Sequence, residues 1–233
     1  MALRPFWFIF FVLAVAAVAG GFYAAAWPGF YAHTVRITGN RIVPAGQIGA
    51  RAQIATHTNV WLQDMAAAAA RVRAIPYIDA VRIHRSLPAH VTIAVTERVP
   101  SAVLQGNGSR VFVDSALRVL QAATGDSALP VIYARVPLPA PGAFVRDADV
   151  QRLRNDAARL AQAHVIVRSV QYDTYGDLIA VMSGGVRLLL GDDADLAQKS
   201  TLVAPILSQL SAQGRRIAAI DLRAPKTPVV QYR

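Results

Sequence analysis

The longest hydrophobic stretch of the chain lies near its start. Residues 5–32 contain no charged side chain, and most of this stretch is strongly apolar. A helix of about 20 apolar residues crosses the hydrocarbon core of a bilayer, so the pattern predicts a transmembrane helix over residues 5–27. Trp7 near one end and Trp27 near the other suit the two membrane–water interfaces.

A removable signal peptide is the alternative interpretation of this stretch. Ala24-Ala25-Ala26 offers small residues to a signal peptidase, and Arg4 supplies a positive start. The apolar block is longer than the roughly 7–15 residues of a signal core, which favours a retained anchor. We therefore expect residues 1–4 to form a short cytoplasmic N-terminus. The much larger part of the chain that follows the helix is expected on the periplasmic or extracytoplasmic side of the plasma membrane.

Hydrophobic periodicity after the anchor predicts a compact α+β domain over residues 33–98. Apolar and polar residues alternate at 34–38, and two helices follow, the first beginning near Pro44 and the second spanning 64–73. Two further strands are predicted at 78–84 and 91–97. The resulting order is β-α-α-β-β, in which the two helices cover the dry face of a sheet.

Residues 99–233 have a different pattern and predict a second, mixed α/β domain with a largely antiparallel sheet. Asn107-Gly108 indicates a tight hairpin turn. Later strands alternate with two helices, one capped by Asp147 or Asp149 and one beginning at Asp192 or Asp193. The last two strands are predicted at 217–222 and 229–232.

Composition narrows the classes of partner. The net charge is +10, from 24 Lys and Arg against 14 Asp and Glu. The basic residues are scattered rather than clustered, and with a membrane anchor this argues against nucleic acid. The chain has no cysteine, which excludes disulfides and thiolate sites. Lys199 and Lys226 are its lysines, and Glu97 is its one glutamate.

No pattern predicts a catalytic, cofactor or metal site, and we expect neither an enzyme nor a small-molecule substrate. The histidines lack His-x-x-x-His spacing, and no phosphate-binding loop or nucleophile elbow is present. Asp192-Asp193-Ala194-Asp195 resembles the start of a calcium loop, but it lacks the glycine and glutamate that such a loop needs. A helix start explains these carboxylates better.

Eight short motifs, in order along the chain, together resemble the bacterial FtsQ/DivIB cell division family. They are VRITGN at 35–40, NVWL at 59–62, IPYIDAV at 75–81, RSLPAHVTI at 85–93, ERVPSA at 97–102, VFVD at 111–114, LGD at 190–192 and IDLR at 220–223. Glu97 and Lys199, unusual in this composition, fall on motif positions. The position after Asp114 departs from the family pattern, because it is serine rather than the usual glycine.

The resemblance implies a polypeptide-transport-associated (POTRA) domain followed by an FtsQ β domain. It implies a non-catalytic, single-span scaffold at the division septum, with its N-terminus cytoplasmic. The implied partners are FtsB-like and FtsL-like single-span proteins, which control the septal peptidoglycan synthase. In this family a partner segment adds to the last strands of the second domain. The corresponding candidate binding residues are Arg223, Lys226, Val229, Val230, Gln231 and Tyr232.

Several alternatives stay open at this point. Arg223 could pair with a partner carboxylate or, within the chain, with Asp221. The last strand could be an open sheet edge or a fully paired, buried strand. The chain as a whole could instead be a membrane-tethered peptidoglycan-binding module, or a POTRA-type assembly or translocation factor.

Overall fold

The computed structural model describes residues 4–233, with side chains described throughout except at 4–6 and 24. The chain divides into two compact units, Met1–Arg98 and Val99–Arg233. Apart from Arg4, the predicted cytoplasmic segment 1–4 lies outside the described residues.

The first unit begins with helix α1, Arg4–Ala25, which has 22 residues. Its apolar side chains are exposed on every side, as Trp7, Phe8 and Phe22 illustrate with exposed fractions of 74%, 70% and 77%. Among the residues whose side chains are described, no helix combines the length and hydropathy needed to cross a membrane. The predicted transmembrane helix is therefore not confirmed by the structure.

The predicted β-α-α-β-β order of the first unit is confirmed. Its elements are β1 (Thr34–Thr38), α2 (Ala45–Ala52), α3 (Met65–Arg73), β2 (Ile78–Ser86) and β3 (His90–Glu97). The strand order is β1-β3-β2, with β1 parallel and β2 antiparallel to β3. Alternate residues of β3 are buried, and so are Ile48 of α2 and Val72 of α3. This burial pattern is typical of a sheet with one dry face.

Glu97, the one glutamate, closes the loop between β1 and α2. Its carboxylate accepts hydrogen bonds from the backbone N–H groups of Arg41 (2.9 Å), Ile42 (2.8 Å) and Val43 (2.8 Å). Burial alone raises the pKa of Glu97, but these three donors outweigh it and hold that pKa below its ordinary value. The charged carboxylate is therefore a structural part of this domain.

The second unit is built on one large mixed sheet. Its helices are α4 (Ala148–Gln162) and α5 (Leu196–Ala212), and its strands are β4 (Ala102–Gly106), β5 (Ser109–Val113), β6 (Val119–Ala122), β7 (Val131–Tyr133), β8 (Val167–Tyr172), β9 (Leu178–Met182), β10 (Arg187–Gly191), β11 (Ile217–Asp221) and β12 (Val229–Tyr232). The described strands pair in the order β12-β11-β10-β9-β8-β7-β4-β5-β6. Pairing is antiparallel except for β10 with β11, β7 with β8 and β4 with β7. The largely antiparallel sheet is thus as predicted.

The structure differs from the sequence-based expectation at two elements of this unit. Strand β6 follows a turn in which Asp114 Oδ1 accepts from the N–H groups of Ala116 and Arg118, and the sequence pattern did not predict it. Helix α5 begins at Leu196, not at Asp192 or Asp193. Its N-cap residue, Asp195, has a left-handed backbone (φ 55°), so the chain turns there before the helix can begin.

Lys199 explains why α5 begins late. Its side chain is buried, and its Nζ donates to Leu190 O (2.8 Å), Asp192 O (3.0 Å) and Asp192 Oδ1 (2.9 Å). An ammonium has three donors, and each has an acceptor here. The segment after β10 is therefore bound to the first turns of α5 and is not part of that helix.

Replacing Glu97 with glutamine tests its structural role. We expect Glu97→Gln to lower the free energy of unfolding of the first unit by about 2 kcal/mol at pH 7, because charge-assisted hydrogen bonds are lost. The folded pKa is depressed, so this contribution is present above the unfolded pKa and is lost as pH falls through the folded value. Thermal unfolding of both proteins should therefore converge in acid.

The control for this substitution is Asp79→Asn. Asp79 pairs with Arg98 at 2.7 Å, but its side chain is half-exposed. Its loss should cost under about 1 kcal/mol. Equal effects of the two substitutions would contradict a special role for Glu97.

The two lysines form a matched pair for a second test. Lys199→Met keeps an unbranched apolar stem but leaves two backbone carbonyls without their donor, so we expect a loss of about 2–3 kcal/mol in the stability of the second unit. Lys226 is exposed, and Lys226→Met should leave stability within about 0.5 kcal/mol of the parent. Chemical unfolding followed by circular dichroism measures both, and a stable Lys199→Met protein would refute the role of the ammonium.

Candidate partner-binding edge

Strand β12 lies at one edge of the nine-stranded sheet. Its neighbour is β11, and no other strand among residues 4–233 pairs with it. Of the two alternatives that the sequence left open, the structure shows the edge strand and not the buried, fully paired one. Such an edge has unpaired backbone donors and acceptors along its outer side.

The direction of the backbone groups in β12 follows from one hydrogen bond. Arg233 N–H donates to Arg216 O at 2.9 Å, so it points toward the β11 side. Successive N–H groups along a strand point in opposite directions, and opposed residues of an antiparallel pair alternate between bonded and non-bonded. The one register irregularity of this pair lies in β11, between Ile217 and Ala219, so the alternation continues along β12. The N–H and C=O groups of Val230 and Tyr232 therefore face away from β11, on the side where no strand of residues 4–233 pairs.

The side chains of β12 divide between the two faces of the sheet. Val230 is half-buried and packs against the core of the unit. On the same face, the centre of the Tyr232 ring lies 4.8 Å from the guanidinium carbon of Arg215. Val229 and Gln231 are on the opposite face and are exposed, Val229 to 58%. Three of the four residues of β12 are thus exposed, and Val230 is half-buried.

Arg223 forms an ion pair within the chain. Its Nη2 lies 2.6 Å from Asp221 Oδ2, its Nε donates to both carboxylate oxygens, and its Nη1 is 4.0 Å from Asp177 Oδ2. The side-chain hydrogen bonds from Arg223 lower the pKa of Asp221 below its ordinary value. More than half of the Arg223 side chain is nevertheless exposed, so the guanidinium is accessible from solvent.

Gly191 determines where the Arg223 side chain can lie. Gly191 has a φ of 71°, and a Cβ placed there would come within 3.1 Å of Arg223 Cγ. The absence of a side chain at this position lets Arg223 lie against the end of β10. Lys199 Nζ donates hydrogen bonds to the backbone carbonyls of Leu190 and Asp192, the residues on either side of Gly191. The motifs at 190–192, Lys199 and 220–223 thus form one cluster beside the edge strand.

Lys226 is exposed in the turn that connects β11 to β12, where Thr227 N–H donates to Ala224 O at 3.0 Å. Among the described residues, no hydrogen bond or ion pair links Lys226 to Arg223, whose guanidinium pairs with Asp221. At the other end of β12, Arg233 Nη2 donates to Gly185 O at 3.2 Å. Arg215 and Arg216 lie nearby, and sequence reasoning did not select either of them. The feature that could have identified them is that they are two adjacent arginines immediately before the strand predicted at 217–222.

The edge contains groups for hydrogen bonding and charge pairing. Among the described residues, no cluster of three or more histidine, aspartate or glutamate side chains could hold a metal ion. The arrangement can receive an extended segment whose backbone pairs with Val230 and Tyr232. The arginines at its two ends favour acidic groups in that segment.

Two family models match the chain, one for each unit. The model described as "POTRA domain, FtsQ-type" matches residues 30–98. The model described as "Cell division protein FtsQ/DivIB, C-terminal" matches residues 102–223. The second match ends before β12, so it includes Arg223 but not the edge strand itself.

Three relatives, each named "Cell division protein FtsQ", are similar to this chain. The protein of Streptomyces venezuelae is 26% identical over 223 residues, which covers 91% of this chain and 78% of the relative. That of Chloroflexus aurantiacus is 26% identical over 208 residues, covering 88% and 74%. That of Syntrophotalea carbinolica is 30% identical over 94 residues, covering 40% and 33%. With the matches to both units, these similarities identify the chain as a member of the FtsQ/DivIB family of cell division proteins.

Proposed function

We propose that this chain is a non-catalytic scaffold of the division machinery that binds partner proteins by extending its sheet at β12. The observation that carries the proposal is the outward direction of the backbone groups of Val230 and Tyr232. A partner strand that pairs with them gains backbone hydrogen bonds, and side chains on alternate positions add selectivity. Membership of a cell division family supports the assignment of this scaffold to the division machinery.

The proposed partners are FtsB-like and FtsL-like single-span proteins, as the family resemblance implies. The basic groups at both ends of β12, Arg223 at one and Arg233 at the other, favour a segment that carries acidic residues. Through these partners the scaffold would act on the septal peptidoglycan synthase. No chemical step is assigned to the chain itself.

We further propose that α1 anchors the chain in the plasma membrane by a single span, with the N-terminus cytoplasmic and the residues after α1 outside the cytoplasm. Residues 5–32 carry no charge. The large apolar side chains of α1 are exposed in the structure, which is costly in water and favourable in lipid. Localisation of a tagged chain to the septum of dividing cells would test the whole assignment.

Proline substitution at Val230 tests the use of the backbone. Val230→Pro removes an outward N–H but none of the N–H groups that bond β11, and an edge strand tolerates this. We expect affinity for an FtsB-type partner in a pull-down to fall at least about tenfold, because an interface hydrogen bond is lost and its partner is left unpaired.

The matched control is Val230→Ala, which shortens the same side chain but keeps the N–H. It should retain partner binding. Circular dichroism must show that both variants keep the fold of the second unit. An equal loss of binding in the two variants would assign the effect to the side chain and overturn the backbone proposal.

The Arg223–Asp221 pair offers a test in which one substitution should strengthen partner binding and the other should abolish it. If Arg223 exchanges Asp221 for a partner carboxylate, Asp221→Asn frees the guanidinium and should tighten partner binding by about threefold. Arg223→Glu should abolish partner binding. Titration calorimetry measures both effects. If Arg223 serves only to order the turn after β11, the two substitutions will both weaken binding, and its assignment as a binding residue is wrong.

A further inference from the structure

The face of the first unit from which α1 emerges is apolar. We call this face the apolar base and define it by Trp27, Phe30, Trp61, Leu62 and Leu87. Leu62 and Leu87 are exposed to 73% and 72%, and Trp27 and Trp61 to 49% and 38%. The rings of Trp27 and Phe30 pack edge to face, with centroids 5.0 Å apart. So much exposed apolar surface in one place marks an interaction site.

The apolar base surrounds the last turn of α1. One cleft of about 430 Å³ is lined by Ala25 of α1 together with Phe30, Asn59, Trp61 and Leu87. A second cleft has Ala25, Tyr31 and Leu62 among its lining residues. Exposed apolar side chains therefore lie on two sides of the point where the helix ends.

Hydrogen bonds fix the end of α1 against this base. Asn59 Nδ2 donates to Ala25 O at 3.0 Å, and Tyr31 Oη donates to Ala26 O at 3.2 Å. Both acceptors are carbonyls at the C-terminal end of the helix, which have no partner within it. A backbone bridge joins Tyr31 to Asn59. The end of α1 is thus fixed to the apolar base. Any medium that surrounds the end of the helix therefore also contacts the apolar base.

We infer that the apolar base lies in the membrane–water interface, with lipid as its occupant. The inference rests on the bilayer span proposed above for α1. A helix of 22 residues is about 33 Å long, close to the roughly 30 Å of hydrocarbon that it must cross. Ala25 is then at the boundary of the hydrocarbon, and side chains around it reach the headgroup region.

The chemistry of the base suits that depth. Indole rings combine an apolar body with a polar edge and concentrate at membrane interfaces. Trp61 Nε1 donates to Pro88 O at 3.0 Å, so its ring can meet lipid with its donor already satisfied. The Arg85 guanidinium lies 5.2 Å from the centre of the Trp61 ring and adds a positive charge that suits lipid phosphate. The POTRA unit would then be held at a fixed orientation on the bilayer.

Tryptophan fluorescence in vesicles can test this inference, because the chain has three tryptophans. The full chain is reconstituted in phosphatidylcholine–phosphatidylglycerol vesicles that contain lipid brominated close to the glycerol end of its acyl chains. A variant with Trp7→Phe and Trp27→Phe leaves Trp61 as the reporter. A variant with Trp27→Phe and Trp61→Phe leaves Trp7 as the reporter of anchor insertion.

Each outcome has one meaning. Quenching and a blue shift of Trp61 emission, with Trp7 also quenched, support the inference. If Trp7 is quenched and Trp61 is not, the anchor stands but the apolar base is not in lipid, and the inference is overturned. If neither is quenched, membrane anchoring fails and the inference fails with it. If Trp61 becomes shielded from the lipid as the protein-to-lipid ratio rises, a second copy covers the base and the lipid assignment is also overturned.

A charge placed on the base sharpens the test. Leu62→Asp with Leu87→Asp alters two exposed side chains, so the fold should be retained, and Trp61 quenching should be lost while Trp7 quenching persists. The matched control is Gln47→Asp, on α2, which lines a separate cleft with Ile75 and Pro76. It should leave Trp61 quenching unchanged. Retained quenching in the double variant would refute the role of the apolar base.

Discussion

The three hydrogen bonds of the Lys199 ammonium are the constraint on which the candidate binding edge depends. A buried cation is stable only when its charge and its donors are satisfied, and here the acceptors come from the segment that follows β10. Binding that segment ends β10 at Gly191 and delays α5 until Leu196. The helix then returns the chain to enter β11 parallel to β10. The position of β12 is a consequence of that crossover.

An open sheet edge needs protection from unwanted pairing, and β12 has several of the usual features. It is a short strand of four residues, with Pro228 immediately before it. Arginines lie at both of its ends, and charged groups beside an edge discourage association with neutral strands. In the proposed binding mode, the same charges would also favour a partner of opposite sign, so one set of residues would both protect the edge and give selectivity.

Local patterns in the sequence were sufficient to predict most of the secondary structure. Alternation predicted β1, β3 and β12, and an alanine-rich run predicted α3. The start of α4 was predicted at Asp147 or Asp149, and Asp147 is its N-cap, because a cap acts within its own turn. The start of α5 could not be found in this way. The three acidic residues before it resemble a cap, but the deciding contact comes from Lys199 to the end of another element, β10. β6 depends similarly on the Asp114 turn.

The candidate site was predictable in its range but not in its geometry. The family resemblance and the position of the IDLR motif selected Arg223 and the last strand, yet they could not decide between a partner carboxylate and Asp221 for the guanidinium. The structure shows the internal pair and also shows why Arg223 lies there, against the bare backbone of Gly191. Of the residues of the apolar base, Trp27 alone was expected at a membrane–water interface, but the apolar base as a whole escaped prediction because Trp27, Trp61 and Leu87 are far apart in the chain. Only the fold brings them around the end of α1.

The binding through backbone groups that we propose also bears on the low similarity to the relatives, of which two are 26% identical to this chain. Every residue except proline supplies the same N–H and C=O, so a strand edge can keep its hydrogen-bonding pattern while its side chains change. Under this proposal, the residues that matter most are those that set the path of the backbone, such as Gly191 and Lys199. A function of this kind is visible in the direction of backbone groups more than in any list of site residues.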